Sequence, residues 1–181
     1  MERCRMVFSG SGGQGVITAA IILAEAAVLY DNLVAVQSQS YGPEARGGAT
    51  RSDIIIADTE IHFPKVIQPN VLVCLTQQAY NKFSPIIRPG GFLITDTRFV
   101  TTERKIDARQ VSLPMYQSVM DKIGKPIVFN ICMLGAVIGL TGIVKSEAVV
   151  KVLQSRIPTG FLKINQEALQ LGMALGAGFS N

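Results

Sequence analysis

Short runs of consecutive apolar residues alternate along this chain with longer stretches whose apolar positions recur every three to four residues, the pattern of strands interleaved with helices. Arg3–Phe8 reads as a first strand. Val16–Leu29 reads as a first helix, with Ala19, Ala20 and Ala24 small enough to lie close on a sheet. Leu33–Gln37 reads as a second strand, followed by a loop rich in turn formers over Ser38–Gly48. Thr50–Ala57 is rich in β-formers, and the turn at Asp58-Thr59 suggests a hairpin with Ile61–Phe63. Val71–Leu75 reads as a buried strand, Gln77 to about Ile87 as a helix, and Phe92–Thr95 as a strand after the Pro89-Gly90-Gly91 turn.

This rhythm predicts an α/β fold: one Rossmann-like, three-layer domain over residues 1–181, with a mostly parallel sheet and a helical C-terminal part. Lys105–Leu113 adds a short strand, and Pro114 opens a helix to about Ile123. Ile127–Val144 carries no charge and nearly reaches spanning length. Asn130, Thr141 and the glycines within it argue instead for a buried helix packed at a subunit or domain interface. Ser146-Glu147 is expected to cap the next helix, and Asn165–Gly176 to form the last. No repeat, low-complexity tract or linker marks a second domain.

Composition narrows the class. Of 181 residues 48% are hydrophobic and only 17% charged. Partner subunits covering the surface would explain this, and so would a fully buried parallel sheet. The net charge of +4 mildly favours anionic ligands or an acidic neighbour. The basic residues are dispersed and no recognition motif is present, so nucleic acid is not indicated. Cys4, Cys74 and Cys132 are far apart, without metal-ligand spacing, and read as reduced core residues of a cytoplasmic protein. The charged N-terminus is no signal peptide, and no membrane partner is expected.

Two loops could carry chemistry. Gly10-Ser11-Gly12-Gly13-Gln14-Gly15 follows a strand and opens directly into a helix, an arrangement that turns free backbone N–H groups toward a phosphate. A dinucleotide site would also need an acid at the end of the second strand, which ends Val36-Gln37-Ser38, and Asp31 lies at the wrong end. NAD is therefore disfavoured, while FAD and NADP variants stay open, as does a tight turn with no ligand. The second loop leaves the same carboxyl edge of the sheet. Ser40, Tyr41, Gly42, Arg46 and Gly47 are its candidate ligand contacts, with Arg46 supplying a planar cation for phosphate or carboxylate. The alternative is that Glu44 and Arg46 form a surface pair worth little. His62 reads as structural, and Asp96 as a turn cap or a residue facing the site. No nucleophile elbow, zinc motif or paired catalytic carboxylates are present.

At these loops, Phe8–Val16 and Gln39–Gly48, and in the segment Asn130–Gly142, the sequence resembles the gamma subunit of 2-oxoacid:ferredoxin oxidoreductases. The wording Ser-Tyr-Gly-Pro-Glu-Ala-Arg-Gly-Gly is similar to the 2-oxoglutarate and branched-chain members. The resemblance implies a multi-subunit enzyme that oxidatively decarboxylates a 2-oxoacid, with 2-oxoglutarate the expected substrate. Coenzyme A takes the acyl group and electrons pass to ferredoxin. It implies alpha, beta and ferredoxin-like delta partners, with thiamine diphosphate and [4Fe-4S] clusters on those chains and neither on this one. Gly10 to Gly15 would receive the phosphate end of coenzyme A, and Ser40 to Gly48 would close around its pantetheine arm or the thiamine mouth. No catalytic or metal-binding residue is expected here, and the chain alone should be inactive, with homo-oligomers plausible. The fused enzymes carry lysines in the second loop, where this chain has only Arg46. A non-catalytic scaffold, a pyruvate- or indolepyruvate-type subunit and a stand-alone nucleotide-binding oxidoreductase are the competing readings.

Overall fold

A computed structural model describes residues 3–40, 48–102 and 105–179. Six strands form one sheet: β1 (Cys4–Gly10), β2 (Val34–Ser40), β3 (Thr50–Ala57), β4 (Val71–Cys74), β5 (Gly91–Asp96) and β6 (Ala108–Leu113). Their order is β2-β3-β1-β4-β5-β6. The pairs β1–β4, β4–β5 and β5–β6 are parallel, as the strand–helix rhythm predicts.

The left half differs from expectation. Thr50–Ala57 makes no hairpin with Ile61–Phe63. It lies between β1 and β2, antiparallel to both, with Ile56 opposite Cys4 on one side and Ala35 on the other. Ile54, Ile55 and Ile56 are each buried, so this run needs cover on both faces and a strand on both edges, which an internal position supplies. Residues 58–70 stay irregular, and Pro64 and Pro69 remove ladder donors there. The second strand also runs three residues past Gln37, because Ser38, Gln39 and Ser40 still pair with Asp53, Ser52 and Arg51.

Alternation along β1 divides the core. Met6 and Phe8 face one side and Val7 the other. On the first side lie α1 (Val16–Tyr30), α3 (Met115–Lys122), α4 (Phe129–Thr141), α5 (Ser146–Arg156) and α6 (Thr159–Ala177). The second side is covered by α2 (Gln77–Phe83), extended by a 3₁₀ turn over Ser84–Ile86, and by part of the 58–70 segment. The N-terminus of α2 is held by Thr76, whose hydroxyl accepts the Ala79 amide at 3.1 Å.

The charge-free stretch from Ile127 is a buried helix, as expected, with a later start. Its helix, α4, starts at Phe129 after a 3₁₀ turn over Pro126–Val128 and ends at Gly142, whose φ of +60° suits a left-handed cap. It is buried within this chain, against α1, α3 and α6. Gly135 and Gly139 of α4 face Gly172 and Gly176 of α6. A Cβ at any of the four would overlap a backbone carbonyl of the opposite helix. With small residues on both sides the two backbones come into contact, and a helix with no polar face becomes an interior one.

Two helix starts also move. Ser146 is already helical and makes no side-chain cap, and the preceding Lys145 amide donates instead to Asp31 Oδ2 at 2.6 Å. The last helix begins at Thr159, so Asn165 lies inside it, its amide donating to the Phe161 carbonyl at 2.8 Å. None of the described helices is long and apolar enough to cross a membrane.

Candidate functional site at the carboxyl edge of the sheet

Because β3 runs opposite to both neighbours, β1 and β2 point the same way. Gly10 and Ser40 therefore end at one edge, with Thr50 and Arg51 beside them. The ends of β4, β5 and β6 lie on that edge too. The second loop departs from it at Ser40 and returns to it at Gly48. Tyr41, Gly42, Arg46 and Gly47 lie outside the described residues, as does Glu44.

Within the glycine loop the residues divide the work. Gln14 folds back over the turn: its Oε1 accepts the Ser11 amide at 2.8 Å, and its Nε2 donates to the Leu75 carbonyl at 3.2 Å. That bridge ties the loop to the end of β4 and occupies the Ser11 N–H, so Ser11 and Gln14 shape the loop. A Cβ at Gly10 would lie 2.5 Å from Gln14 Oε1, so a side chain there would displace Gln14 from this bridge. Gly12 and Gly13 face open space, and Gly13 sits at a φ of +91°.

Gly15, at a φ of +72°, precedes α1 with no side-chain cap. Among the described residues no hydrogen bond engages the Gly12, Gly13 or Gly15 amides. Together with the first-turn amides of a 15-residue helix they form an electropositive, donor-rich face.

A cleft of about 380 Å³ opens beside this face. Gly13, Gln14 and Gly15 form one wall, and Pro126, Ile127 and Asn130 lie across from them. Phe99, Tyr116 and Phe129 complete the lining as an edge-to-face cluster with ring centroids 5.1–5.9 Å apart. Arg98 stands over the Tyr116 ring at 5.1 Å. Asn130 Nδ2 donates to the Gly15 carbonyl at 3.4 Å and packs where a Gly15 Cβ would go, which pins α4 to the loop. An apolar groove of about 230 Å³, lined in part by Ile22, Ile131 and Phe161, continues from the cleft past Ile127 and Asn130.

The aromatic cluster, Arg98 and Asn130 were not predicted from sequence. Asn130 carried a signal, as one of the few polar residues in an otherwise apolar run. The aromatics come from three separate elements and carried none.

Asp96, at the end of β5, is fully buried and does not line the cleft. Its carboxylate accepts the Arg98 amide at 2.9 Å and the Tyr116 amide at 2.8 Å, so it fixes the turn and the start of α3. Burial pushes its carboxyl above the ordinary carboxylate range, against the opposing pull of those amides. Burial likewise pushes the Cys74 and Cys132 thiols up to about 12, and that of half-buried Cys4 to about 11. Thiols held this high are not nucleophiles at neutral pH. No group of three His, Cys, Asp or Glu comes together among the described residues to hold a metal. His62 is exposed on the irregular segment away from this edge. The edge can therefore bind and orient an anion, and among the described residues no acid–base pair is aimed into the cleft.

Comparison with known proteins identifies the family. The pyruvate ferredoxin/flavodoxin oxidoreductase family matches residues 5–175. A 2-oxoglutarate synthase subunit KorC from Methanocaldococcus jannaschii is 47% identical over 91% of this chain and 89% of its own. The gamma subunit of a keto/oxoacid ferredoxin oxidoreductase from Geobacter sulfurreducens superposes with a TM-score of 0.90 at 40% identity, covering 98% of both chains. A 2-oxoglutarate:ferredoxin oxidoreductase from Magnetococcus marinus, solved with 2-oxoglutarate, coenzyme A and succinyl-CoA, shares the fold. Its TM-score is 0.88 at 21% identity, over 98% of this chain and 32% of that one. The chain belongs to the pyruvate ferredoxin/flavodoxin oxidoreductase family.

Proposed function

With that membership as premise, we propose that this chain is the gamma subunit of a 2-oxoglutarate:ferredoxin oxidoreductase and that its open glycine loop positions coenzyme A for the reaction. The complex decarboxylates the 2-oxoacid, passes two electrons to ferredoxin and releases the acyl group as its coenzyme A thioester. Alpha, beta and ferredoxin-like delta subunits complete it. Thiamine diphosphate and the [4Fe-4S] clusters, which supply the decarboxylation and electron-transfer chemistry, reside on those partners.

One observation carries the reading. Gly12 and Gly13 face open space beside an uncapped helix and an aromatic-lined cleft, at the edge where the second loop is anchored. The diphosphate of coenzyme A needs donors and close backbone approach, which this loop supplies without a side chain. Arg46 adds the permanent charge, and Arg98 stands close to the cleft. The contribution to rate is orientation of the thiol, since among the described residues the cleft brings no general base. An isolated chain accordingly turns over no 2-oxoacid.

The test is steady-state kinetics of the assembled enzyme. Arg46→Ala removes a charge-assisted contact worth about 1.5–3 kcal/mol, so KM for coenzyme A should rise roughly tenfold or more. KM for the 2-oxoacid should not move. Unchanged use of coenzyme A by Arg46→Ala and by Gly12→Val would leave the chain a scaffold.

A further inference from the structure

The opposite, amino edge of the sheet carries a second concave surface. Arg5 at the start of β1, Lys65 on the irregular segment and Arg88 in the turn before β5 converge on an open cleft of about 520 Å³. Phe63, Ile67 and Gln68 complete its lining, and no carboxylate lies among them. Phe63 is 55% exposed and Ile67 70%. We propose that this cleft is the docking surface for an acidic face of another subunit of the enzyme, with carboxylates surrounding one apolar side chain.

Charge is the first argument. Three cations of the described residues pair with carboxylates: Arg51 with Asp53, Arg156 with Glu25 and Lys145 with Asp31. Among the described residues no ion pair or side-chain hydrogen bond engages the Arg5, Lys65 or Arg88 heads. Three like charges on one concavity repel each other and are relieved by an anionic surface. The second argument is the apolar pair. A large aromatic and a large aliphatic side chain left in water between arginines is the composition of an interface centre, where aromatic and arginine residues dominate binding. The cleft is also too broad and open to enclose a small anion on all sides, whereas a protruding side chain flanked by carboxylates matches both its shape and its charge.

Location supports the same reading. Docking at the amino edge leaves the carboxyl edge, with its glycine loop, free for coenzyme A. The inference therefore requires only that the chain works within a multi-subunit enzyme, and the coenzyme A reading can fail without it.

The experiment uses the enzyme assembled from its co-expressed subunits, carrying Lys65→Glu with Arg88→Glu, or Phe63→Ser alone. Native mass spectrometry reads subunit stoichiometry at low and raised salt. The wild type should retain every subunit at low salt and lose this one progressively as salt rises. Both variants should weaken its association at least tenfold at low salt, and Lys65→Gln with Arg88→Gln should fall between. All changed side chains are exposed, so an unchanged melting temperature of the variant chain establishes that the fold survives. Full stoichiometry at all salt concentrations in both variants would overturn the proposal. So would saturable binding of pyrophosphate or ATP at this cleft with assembly unaffected, which would make it a small-anion site. KM for coenzyme A, measured on wild-type enzyme and on Gly12→Val, reports the other edge separately.

Discussion

Glycine serves two opposite ends in this molecule. In the loop after β1, Gly12 and Gly13 border empty space, and a Cβ on either would touch nothing within 4 Å. In the seam between α4 and α6, Gly135, Gly139, Gly172 and Gly176 border carbonyl oxygens that a Cβ would overlap. The loop glycines border space that no other described residue fills. The seam glycines remove room so that two helices touch. Composition counts both alike, and only the neighbourhood separates an open-facing glycine from a packing one.

That contrast can be broken most forcefully at Gly172. Alanine there meets the Cys132 carbonyl and forces the helices apart. Overpacking should cost about 3 kcal/mol, well beyond the ~1 kcal/mol that alanine gains in helix propensity. Thermal or urea unfolding of Gly172→Ala against wild type measures it, and a stabilised variant would mean that the seam is loose.

Gly15 stands between the two kinds, since it combines a φ of +72° with direct contact to Asn130. Gly15→Ala should cost about 2 kcal/mol from strain and overlap together. Adding Asn130→Ala should recover part of that loss, a coupling that a double-mutant cycle detects. Simple additivity would separate the two residues.

At Gly12 the effects part company. Gly12→Val should leave stability within about 0.5 kcal/mol, as at an open surface position. It should nevertheless raise KM for coenzyme A in the assembled enzyme roughly tenfold, about 1.4 kcal/mol. A fall in stability with unaltered coenzyme A use would place Gly12 with the seam glycines.

The smallest effect lies far from both regions. Arg156 holds the Glu25 carboxyl below its ordinary range through a side-chain hydrogen bond. A depressed carboxylate pKa stabilises the fold above the unfolded value near 4.5, and the contribution fades as pH falls through the folded value. The pair is partly exposed and screened by solvent, so Arg156→Ala should cost under about 1 kcal/mol at pH 7 and less at pH 3. Urea melts at the two pH values would register the difference, and an equal loss at both would assign the cost to packing.

Much of this arrangement was readable before any coordinates. The glycine loop lies between an apolar strand and an alanine-rich helix, and both local signals point the same way. The ends of the second loop lie at the expected edge because β1 and β2 run in one direction. The strand inserted between them was not foreseen. Local turn chemistry at Asp58-Thr59 suggested a neighbour close in sequence, while burial of Ile54–Ile56 on both faces required neighbours on both sides. The apolar segment after Ile127 was rightly read as a buried helix, but its burial comes from α6 of the same chain. Nothing local in Gly172 or Gly176 names the carbonyls they meet.

The order of residues was enough to establish the strand–helix succession, the glycine turn and the family, because each rests on contacts within about ten residues or on a contiguous motif. Folding was needed to gather Phe99, Tyr116, Phe129 and Asn130 into one cleft, and Arg5, Lys65 and Arg88 into another. Those groupings span tens of residues, and the reason lies in the sheet. Parallel strands bring distant segments to a common edge, so which side chains share that edge follows from strand order and register, which no short stretch of chain encodes.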